Sequence, residues 1–311
     1  MKRILLVIAA LIAMMALITG CGKTDSTASH ALRTVSYNGK DYQVPQDPNH
    51  IVVLSNSILQ MLYAVDGKAV ARVETTDALA PDMESLPTVG HTANPSMESI
   101  LGYKPDLVLG LANQHGKLAS NFESNKVPFI PMELEGLDST VPILTLLGEI
   151  TGHQDKAKEV IDNYKQRIAN VKAQAAQHQP ARVAVLRATG KSVTAETNLA
   201  ITASMVKELG MTNVTIDPNA AAPSTKTIPY SLEALTQANP DVIFIVTMGK
   251  KEDIDKTMKS AMTDNPAWND LKAVKNGKVF YLPSNWFLLN PGLQTPNAMQ
   301  KLLTDTYGNN Q

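Results

Sequence analysis

An internal repeat constrains the fold of this chain more than any other feature. Residues 97–111 read MESILGYKPDLVLGL, and residues 232–246 read LEALTQANPDVIFIV. Each copy has Glu in second place, Pro-Asp after six further residues, and then an apolar run. This pattern predicts a short helix, a proline that ends it and a buried strand. Because the copies are 135 positions apart, we expect two lobes built on one plan.

Apolar runs and helical segments alternate along both halves of the chain. A hairpin signal comes first, because Asn38-Gly39 separates two alternating stretches and favours a tight turn. Strands separated by helices indicate mainly parallel sheets that are covered on both faces. The predicted strands include residues 51–54, 69–73, 107–111, 127–130 and 182–186.

One long helix is predicted between the two copies of the repeat. Residues 154–178 contain no Gly or Pro and carry apolar residues at helical spacing, which gives a helix about 37 Å long. The predicted fold is therefore α/β, with two lobes, each a mainly parallel sheet flanked by helices, joined by one long backbone helix. We expect an N-terminal lobe at residues 34–137, a linking helical segment at 138–179 and a C-terminal lobe at 180–311.

The first residues predict export and membrane attachment. Lys2 and Arg3 precede an apolar run, residues 4–18, that is too short for a comfortable membrane span and is typical of a signal peptide at residues 1–20. The sequence Leu-Ile-Thr-Gly-Cys ending at Cys21 resembles a bacterial lipobox, which implies lipid on Cys21 and a protein held on the extracytoplasmic side of the membrane. The alternative is an ordinary secretory signal with an accidental cysteine. Residues 21–33 then form a flexible tether.

Composition and motifs exclude several classes of protein. Cys21 is the only cysteine, so disulfides, cysteine-based zinc sites and a thiol nucleophile are absent. After residue 20 the chain has 26 Lys and Arg against 29 Asp and Glu, and this balance does not favour a nucleic-acid partner. The sequence Gly190-Lys191-Ser192 lacks the earlier glycine of a phosphate-binding loop, because position 185 is Val. We therefore predict no enzyme, with a surface chelatase as the alternative.

Motifs along residues 45–305 support a resemblance to a known class. They are HIVVLS at 50–55, LPTVG at 86–90, both Glu-x6-Pro-Asp repeats, and Trp268 with VKNGKVFY at 274–281. The chain resembles the helical-backbone ABC substrate-binding lipoproteins for iron complexes, heme and cobalamin, which have the Fe/B12 periplasmic-binding domain. The resemblance implies a carrier, expected as a monomer, that delivers a small-molecule iron complex to an ABC permease dimer. It also implies that Glu98 and Glu233 dock to arginines of the permease.

Within this class the chain is most similar to the heme-binding lipoproteins of Gram-positive bacteria. Those proteins hold heme iron between a Met of the first lobe and a His of the second. The matching positions here are Ala93 and Met248, while His91 is two residues from Ala93. The resemblance therefore implies heme as the cargo. The implied iron ligands are His91 in the first lobe and Met248 in the second, so the His and the Met have changed lobes relative to those proteins. A ferric siderophore is the second candidate and cobalamin the third.

Other candidate ligand-binding residues follow from the expected cleft, which lies at loops after the carboxyl ends of the strands. His115 is in such a loop. Arg187, Arg72 and Lys250 are candidates for anionic groups of the cargo. The remaining candidates are Tyr230 as an iron-binding phenolate, and Trp286 with Phe287 as stacking rings. The alternatives are ordinary polar surface for the histidines, a core position for Met248 and a packing role for Tyr230.

Overall fold

The computed structural model describes residues 31–215 and 224–308, so the signal peptide, Cys21 and most of the tether lie outside the described residues. The strands are β1 Leu32–Tyr37, β2 Lys40–Pro45, β3 Ile51–Val53, β4 Ala71–Glu74, β5 Thr88–His91, β6 Asn94–Pro95, β7 Leu107–Leu111, β8 Phe129–Met132, β9 Arg182–Thr189, β10 Val193–Glu196, β11 Thr212–Asn213, β12 Thr227–Pro229, β13 Val242–Met248 and β14 Val279–Leu282. The α-helices are α1 Asn56–Ala64, α2 Pro81–Glu84, α3 Met97–Gly102, α4 Ala112–His115, α5 Ala119–Ser124, α6 Thr140–Thr151, α7 Gln154–Ala175, α8 Ile201–Glu208, α9 Leu232–Ala238, α10 Lys251–Met258, α11 Pro266–Asp270, α12 Lys272–Lys275, α13 Ser284–Phe287 and α14 Thr295–Tyr307.

The hairpin formed by β1 and β2 is attached to the first lobe. Asn38 and Gly39 both have positive φ, 49° and 73°, as a type I′ turn requires, so the predicted tight turn is confirmed. At the other end of the hairpin, the Arg33 guanidinium donates to the carbonyls of Glu149 and Ile150 at 2.6 and 3.0 Å. A cation beside the last carbonyls of α6 is favourable, because these carbonyls carry the negative end of the helix dipole.

The first lobe contains a six-stranded sheet in the order β6-β5-β4-β3-β7-β8, parallel except for β6. The second lobe contains the order β12-β10-β9-β13-β14, with β11 also pairing with β9. Here β9, β13 and β14 are parallel, and β10 and β12 complete the sheet in antiparallel pairs. Separate apolar clusters cover the two faces of each sheet. The predicted α/β fold with two lobes is confirmed.

The internal repeat is conserved between the lobes down to single hydrogen bonds. Lys104 and Asn239, which precede the two Pro-Asp pairs, both have left-handed φ, 49° and 41°. The Asp106 carboxylate then accepts from the backbone N–H of His50 at 3.0 Å, and the Asp241 carboxylate accepts from that of Arg182 at 2.9 Å. Each aspartate thus ties the start of one central strand to the start of its neighbour.

The long helix α7 contributes to the cores of both lobes. Ala157 and Ile161 are buried in the first core, whereas Val171 and Ala175 are buried in the second. The helix ends at Ala175, three residues before the predicted end. The preceding helix, α6, is packed into the first lobe. In the described part of the chain, no helix is both long and apolar enough to cross a membrane.

Candidate ligand cleft

The carboxyl ends of β4 and β14, one from each sheet, approach each other across the space between the lobes. Asp77, just after β4, accepts a hydrogen bond from Asn285 Nδ2, just after β14, at 2.5 Å. Glu135, after β8, accepts from Lys226 Nζ, before β12, at 2.7 Å. Asp77 and Asn285 both follow the carboxyl ends of strands, whereas Lys226 precedes β12, which runs parallel to β9. Both contacts join loops of one lobe to loops of the other.

Asn290 holds the closed side of the cleft. Its side chain is buried, with a relative exposure of 3%. Its Nδ2 donates to the Gly136 carbonyl at 2.5 Å, its Oδ1 accepts from the Gly292 N–H at 2.8 Å, and its own carbonyl accepts from the Ser57 hydroxyl at 3.2 Å. A second-lobe loop is thereby bonded to the first lobe and to the segment that leads into the linking helices.

His91 is the last residue of β5 and is exposed. Its Nδ1 lies 3.0 Å from Glu74 Oε2, on the neighbouring strand β4, and 77% of its side chain is accessible. A carboxylate at this distance fixes the orientation of an imidazole and favours the tautomer that leaves Nε2 as an electron-pair donor. His91 is therefore arranged as many metal-binding histidines are.

Met248 is the last residue of β13 and is also accessible. The first five residues of that strand are buried, but Met248 has a relative exposure of 47%. The alternative of a core methionine is excluded by this exposure. Leu199 and Leu289, in two other loops of the second lobe, are 52% and 44% exposed. Three large apolar side chains of the second lobe are thus exposed.

Arg187 lies near the end of β9 and is held by a buried carboxylate. Its Nε and Nη2 donate to Glu196 Oε1 at 2.9 and 2.6 Å, and the Glu196 side chain is fully buried. Burial raises the pKa of Glu196 to about 7, although the charge of Arg187 acts in the opposite direction. Arg187 retains 16% exposure, and its side chain is held in place by Glu196, a residue that the sequence reading missed.

His115 has a structural role, which corrects its prediction as a ligand-binding residue. The side chain is fully buried. Its Nδ1 accepts from the backbone N–H of Leu111 at 2.8 Å, and its Nε2 lies 2.7 Å from the carbonyl of Thr92. Burial lowers the pKa of His115, so the neutral ring is favoured. Both nitrogens are used within the protein, and neither is available to iron.

Two further candidates are also packed into the structure. Arg72 is 7% exposed and donates to the carbonyls of Val73, Met83 and Glu84, so it does not reach a cargo. Phe287 is fully buried in the second core and cannot stack on a ligand. In both cases the sequence position adjoins a cleft loop, but the side chain points into the protein.

Tyr230 and Trp286 are half-buried. Tyr230 packs against the second-lobe core, and burial raises its pKa, which disfavours the phenolate that iron would need. Trp286 packs on the other core cluster of that lobe. It also borders an interlobe cavity of about 400 Å³ together with Gln60 and Asp77. Trp286 is therefore the aromatic side chain that remains available at the junction of the lobes.

The walls of the cleft differ in charge. The loops of the first lobe carry carboxylates, and the corresponding loops of the second lobe carry cations. The carboxylates are Glu74, Asp77, Glu133 and Glu135, and the cations are Arg187, Lys191, Lys226 and Lys250. An anionic edge of a ligand is therefore favoured on the second lobe and opposed by the first.

Residues 51–286 match the model of the periplasmic binding protein family. The chain belongs to this family. Its relatives include the Fe(3+)-citrate-binding protein YfmC of Bacillus subtilis, 27% identical over 271 residues that make up 84% of this chain and 80% of YfmC. They also include the high-affinity heme uptake system protein IsdE of Staphylococcus aureus, 24% identical over 255 residues, or 81% and 85% of the two chains.

Solved structures agree with the fold of this binding protein. An ABC transporter substrate-binding protein from Listeria monocytogenes has a TM-score of 0.72 at 24% identity and covers 85% of this chain and 100% of its own. IsdE of S. aureus complexed with heme has a TM-score of 0.70 at 22% identity and covers 83% and 98%. The relatives carry different iron complexes, so membership of the family leaves the cargo open.

The two predicted docking glutamates occupy equivalent places in this binding protein. Glu98 is the second residue of α3, whose N-cap Ser96 accepts from the N–H of Ser99 at 3.2 Å. Glu233 is the second residue of α9, whose N-cap Ser231 accepts from the N–H of Ala234 at 3.1 Å. Both carboxylates are in the first turn, where the helix dipole favours negative charge.

Several residues of the cleft were missed by the sequence reading, namely Glu74, Asp77, Glu135, Glu196 and Lys226. A signal existed for Glu74 and Asp77, because they directly follow a predicted strand and so belong to its carboxyl end. For Glu196 there was none, since its importance depends on the antiparallel pairing of β10 with β9.

Proposed function

We propose that this protein is the substrate-binding lipoprotein of an ABC importer, that it captures heme between its lobes, and that it delivers heme to the permease. The observation that carries the proposal is a pair of accessible iron-binding groups at carboxyl strand ends. They are the His91 imidazole, oriented by Glu74, and the thioether of Met248. Imidazole and thioether are a sound ligand pair for heme iron.

The positions of these two residues in the sheets support a shared ligand. Asp77 and Asn285, which touch, follow β4 and β14. His91 ends β5, the neighbour of β4, and Met248 ends β13, the neighbour of β14. Each proposed iron ligand is therefore one strand away from a contact between the lobes.

The character of the second-lobe wall also favours heme. A porphyrin has large apolar faces and an anionic edge made by its propionates. Leu199 and Leu289 supply exposed apolar surface, and Arg187 supplies a cation for a propionate. The carboxylates of the first lobe disfavour a highly anionic ferric catecholate, whose charge is spread over the whole complex.

A ferric carboxylate complex is a second candidate. Arg187, Lys226 and Lys250 on the second lobe are suited to an anionic chelate, and the relative YfmC is a ferric-citrate-binding protein. The exposed thioether of Met248 has no evident use in that case, because hard ferric iron prefers oxygen ligands.

Delivery is assigned to residues outside the cleft. Glu98 and Glu233 pair with arginines on the two halves of the permease dimer, because a carboxylate and a guanidinium can form bidentate bonds. Lipid on Cys21 holds the carrier at the outer face of the membrane, so that cargo is captured beside its permease. The carrier binds one cargo molecule and releases it unchanged.

The test is an absorbance titration of residues 22–311 with hemin, repeated with ferric citrate as competitor. One-to-one binding with a shifted Soret band, resistant to excess ferric citrate, is the expected result. Quenching of tryptophan fluorescence by ferric citrate, without any Soret shift by hemin, would favour the second candidate instead. Hemin that is chemically altered and released would overturn the carrier assignment and favour the chelatase alternative.

A further inference from the structure

Two polar contacts join the lobes near opposite ends of the cleft. At one end Asn285 Nδ2 donates to Asp77 Oδ1 at 2.5 Å. At the other end Lys226 Nζ donates to Glu135 Oε2 at 2.7 Å. In the second lobe these contacts adjoin β14 and β12, the two edge strands of its sheet. The contacts are therefore separated by the full width of the sheet.

These contacts differ from the permanent connection between the lobes. The connection includes the helix α7, which contributes buried residues to both cores, and the buried side chain of Asn290. Glu135 and Lys226, by contrast, have side chains that are 46% and 47% exposed. The edge contacts can break without opening a core, whereas the connection cannot.

We propose that the Asp77–Asn285 and Glu135–Lys226 contacts are two latches that hold the cleft closed, and that both open when cargo exchanges. The first latch is preorganised, because Asn56 Nδ2 in the same lobe donates to the other Asp77 oxygen at 2.5 Å. In the second latch, the hydrogen bond from Lys226 lowers the pKa of Glu135 and keeps the carboxylate ionised.

The strength of such latches suits a reversible closure. Exposed pairs of this kind shift an equilibrium by up to about fivefold each, so two independent latches bias the lobes toward the closed form by up to about 25-fold. A stiff helical joint permits only small rocking, and small rocking is enough to break contacts at the edges. Closure itself does not depend on the identity of the cargo, whereas the effect on cargo exchange rests on the proposed function.

The first test measures the distance between the lobes without cargo. Residues 22–311 contain no cysteine, so spin labels can be attached at Glu123→Cys in α5 and Lys256→Cys in α10, both exposed. Double electron–electron resonance then compares the labelled parent with Lys226→Gln, Asn285→Ala and the double variant. We expect longer or broader distances in each single variant and the largest change in the double variant.

Matched controls come from polar pairs that do not cross the cleft. Lys172 and Glu208 join α7 to α8 at 2.6 Å, with exposures of 45% and 46%, almost the values of the second latch. Gln166 donates to Asn170 within α7 at 2.8 Å. Lys172→Gln and Gln166→Ala should leave the distance distribution unchanged. A double latch variant with the distribution of the parent would overturn the proposal.

The second test measures exchange of cargo. The dissociation rate of hemin, trapped by apomyoglobin, should rise by up to about 25-fold in the double variant and remain unchanged in the controls. Longer distances without faster dissociation would overturn the role in exchange. If the parent does not bind hemin at all, the proposed cargo fails, while the distance measurement still decides whether the latches exist.

Discussion

Asp106 and Asp241 accept the same hydrogen bond in the two lobes, each from a backbone N–H at the start of the neighbouring central strand. Asp106 also accepts from the N–H of Asn49 at 2.7 Å. Burial favours the neutral form of Asp241, but bonds from Lys272 and from the N–H of Arg182 outweigh it and lower its pKa. The two lobes therefore share one device for setting the register of their central strands.

The first prediction concerns this device. Asp106→Ala and Asp241→Ala should each lower the free energy of unfolding by about 1–3 kcal/mol, because backbone N–H groups lose a charged acceptor. Urea unfolding followed by circular dichroism measures the change. Asp41→Ala is the control, since Asp41 bonds only an exposed serine hydroxyl in the hairpin among the described residues. If all three variants have the same free energy of unfolding, Asp106 and Asp241 do not share this stabilising role.

The second prediction separates delivery from binding. Glu98→Gln together with Glu233→Gln should reduce uptake of hemin by cells at least about tenfold, because two charge-assisted bonds to the permease are lost. The affinity of the purified protein for hemin should not change. Glu252→Gln is the matched control, since Glu252 is also the second residue of a helix and is exposed. If Glu252→Gln lowers uptake by the same factor, the loss comes from a less stable protein and not from lost docking to the permease.

The fold could be predicted from the sequence because local sequence patterns specify most of its elements. The Pro-Asp pairs, the Asn38-Gly39 turn and the apolar stripe of α7 each predict one element, and the repeat relates the two halves. The error at the end of α7 has a tertiary cause. His178 stacks on Tyr307 with ring centroids 4.2 Å apart, and this contact holds the chain in a turn where the sequence allows more helix.

The residues that line the cleft could be predicted from the sequence only in part. Position after a strand identified His91 and Met248 as loop residues, but the same rule also selected His115 and Phe287, which are buried. Which way a side chain points at a strand end is decided by neighbouring strands. His115 turns inward because the Leu111 N–H and the Thr92 carbonyl, from two strand ends, both bond its ring.

The third prediction concerns the iron ligands. His91→Ala and Met248→Ala should each shift the Soret band of the hemin complex and weaken binding by about tenfold or more, because each removes one axial ligand. Glu74→Gln should cause a smaller change, since it removes only the group that orients His91. Tyr230→Phe is the control and should bind normally. A spectrum unchanged in both alanine variants would exclude this ligand pair.

The last prediction concerns Glu196 and His115, two buried titratable groups that have opposite effects on the pH dependence of stability. Burial raises the pKa of Glu196 to about 7, so its contribution is complete below its unfolded value near 4.5 and is lost as the pH rises through about 7. Burial lowers the pKa of His115, so its contribution is complete above its unfolded value near 6.5 and is lost as the pH falls below it. Between pH 5 and 8 the two effects partly cancel in the parent protein.

Substitution of one group at a time should therefore reveal the pH dependence of stability that the other group contributes. Glu196→Gln keeps an acceptor for Arg187 but does not ionise, so stability should rise with pH more steeply than in the parent, by about 1–3 kcal/mol between pH 5 and 8. His115→Gln keeps a donor and an acceptor, and stability should then fall as the pH rises. Urea unfolding at four pH values measures both slopes, with Glu123→Gln and His50→Gln as exposed controls. Parallel slopes in parent and variants would mean that neither group titrates differently on folding, and Arg187 would then be held by a permanently ionised Glu196.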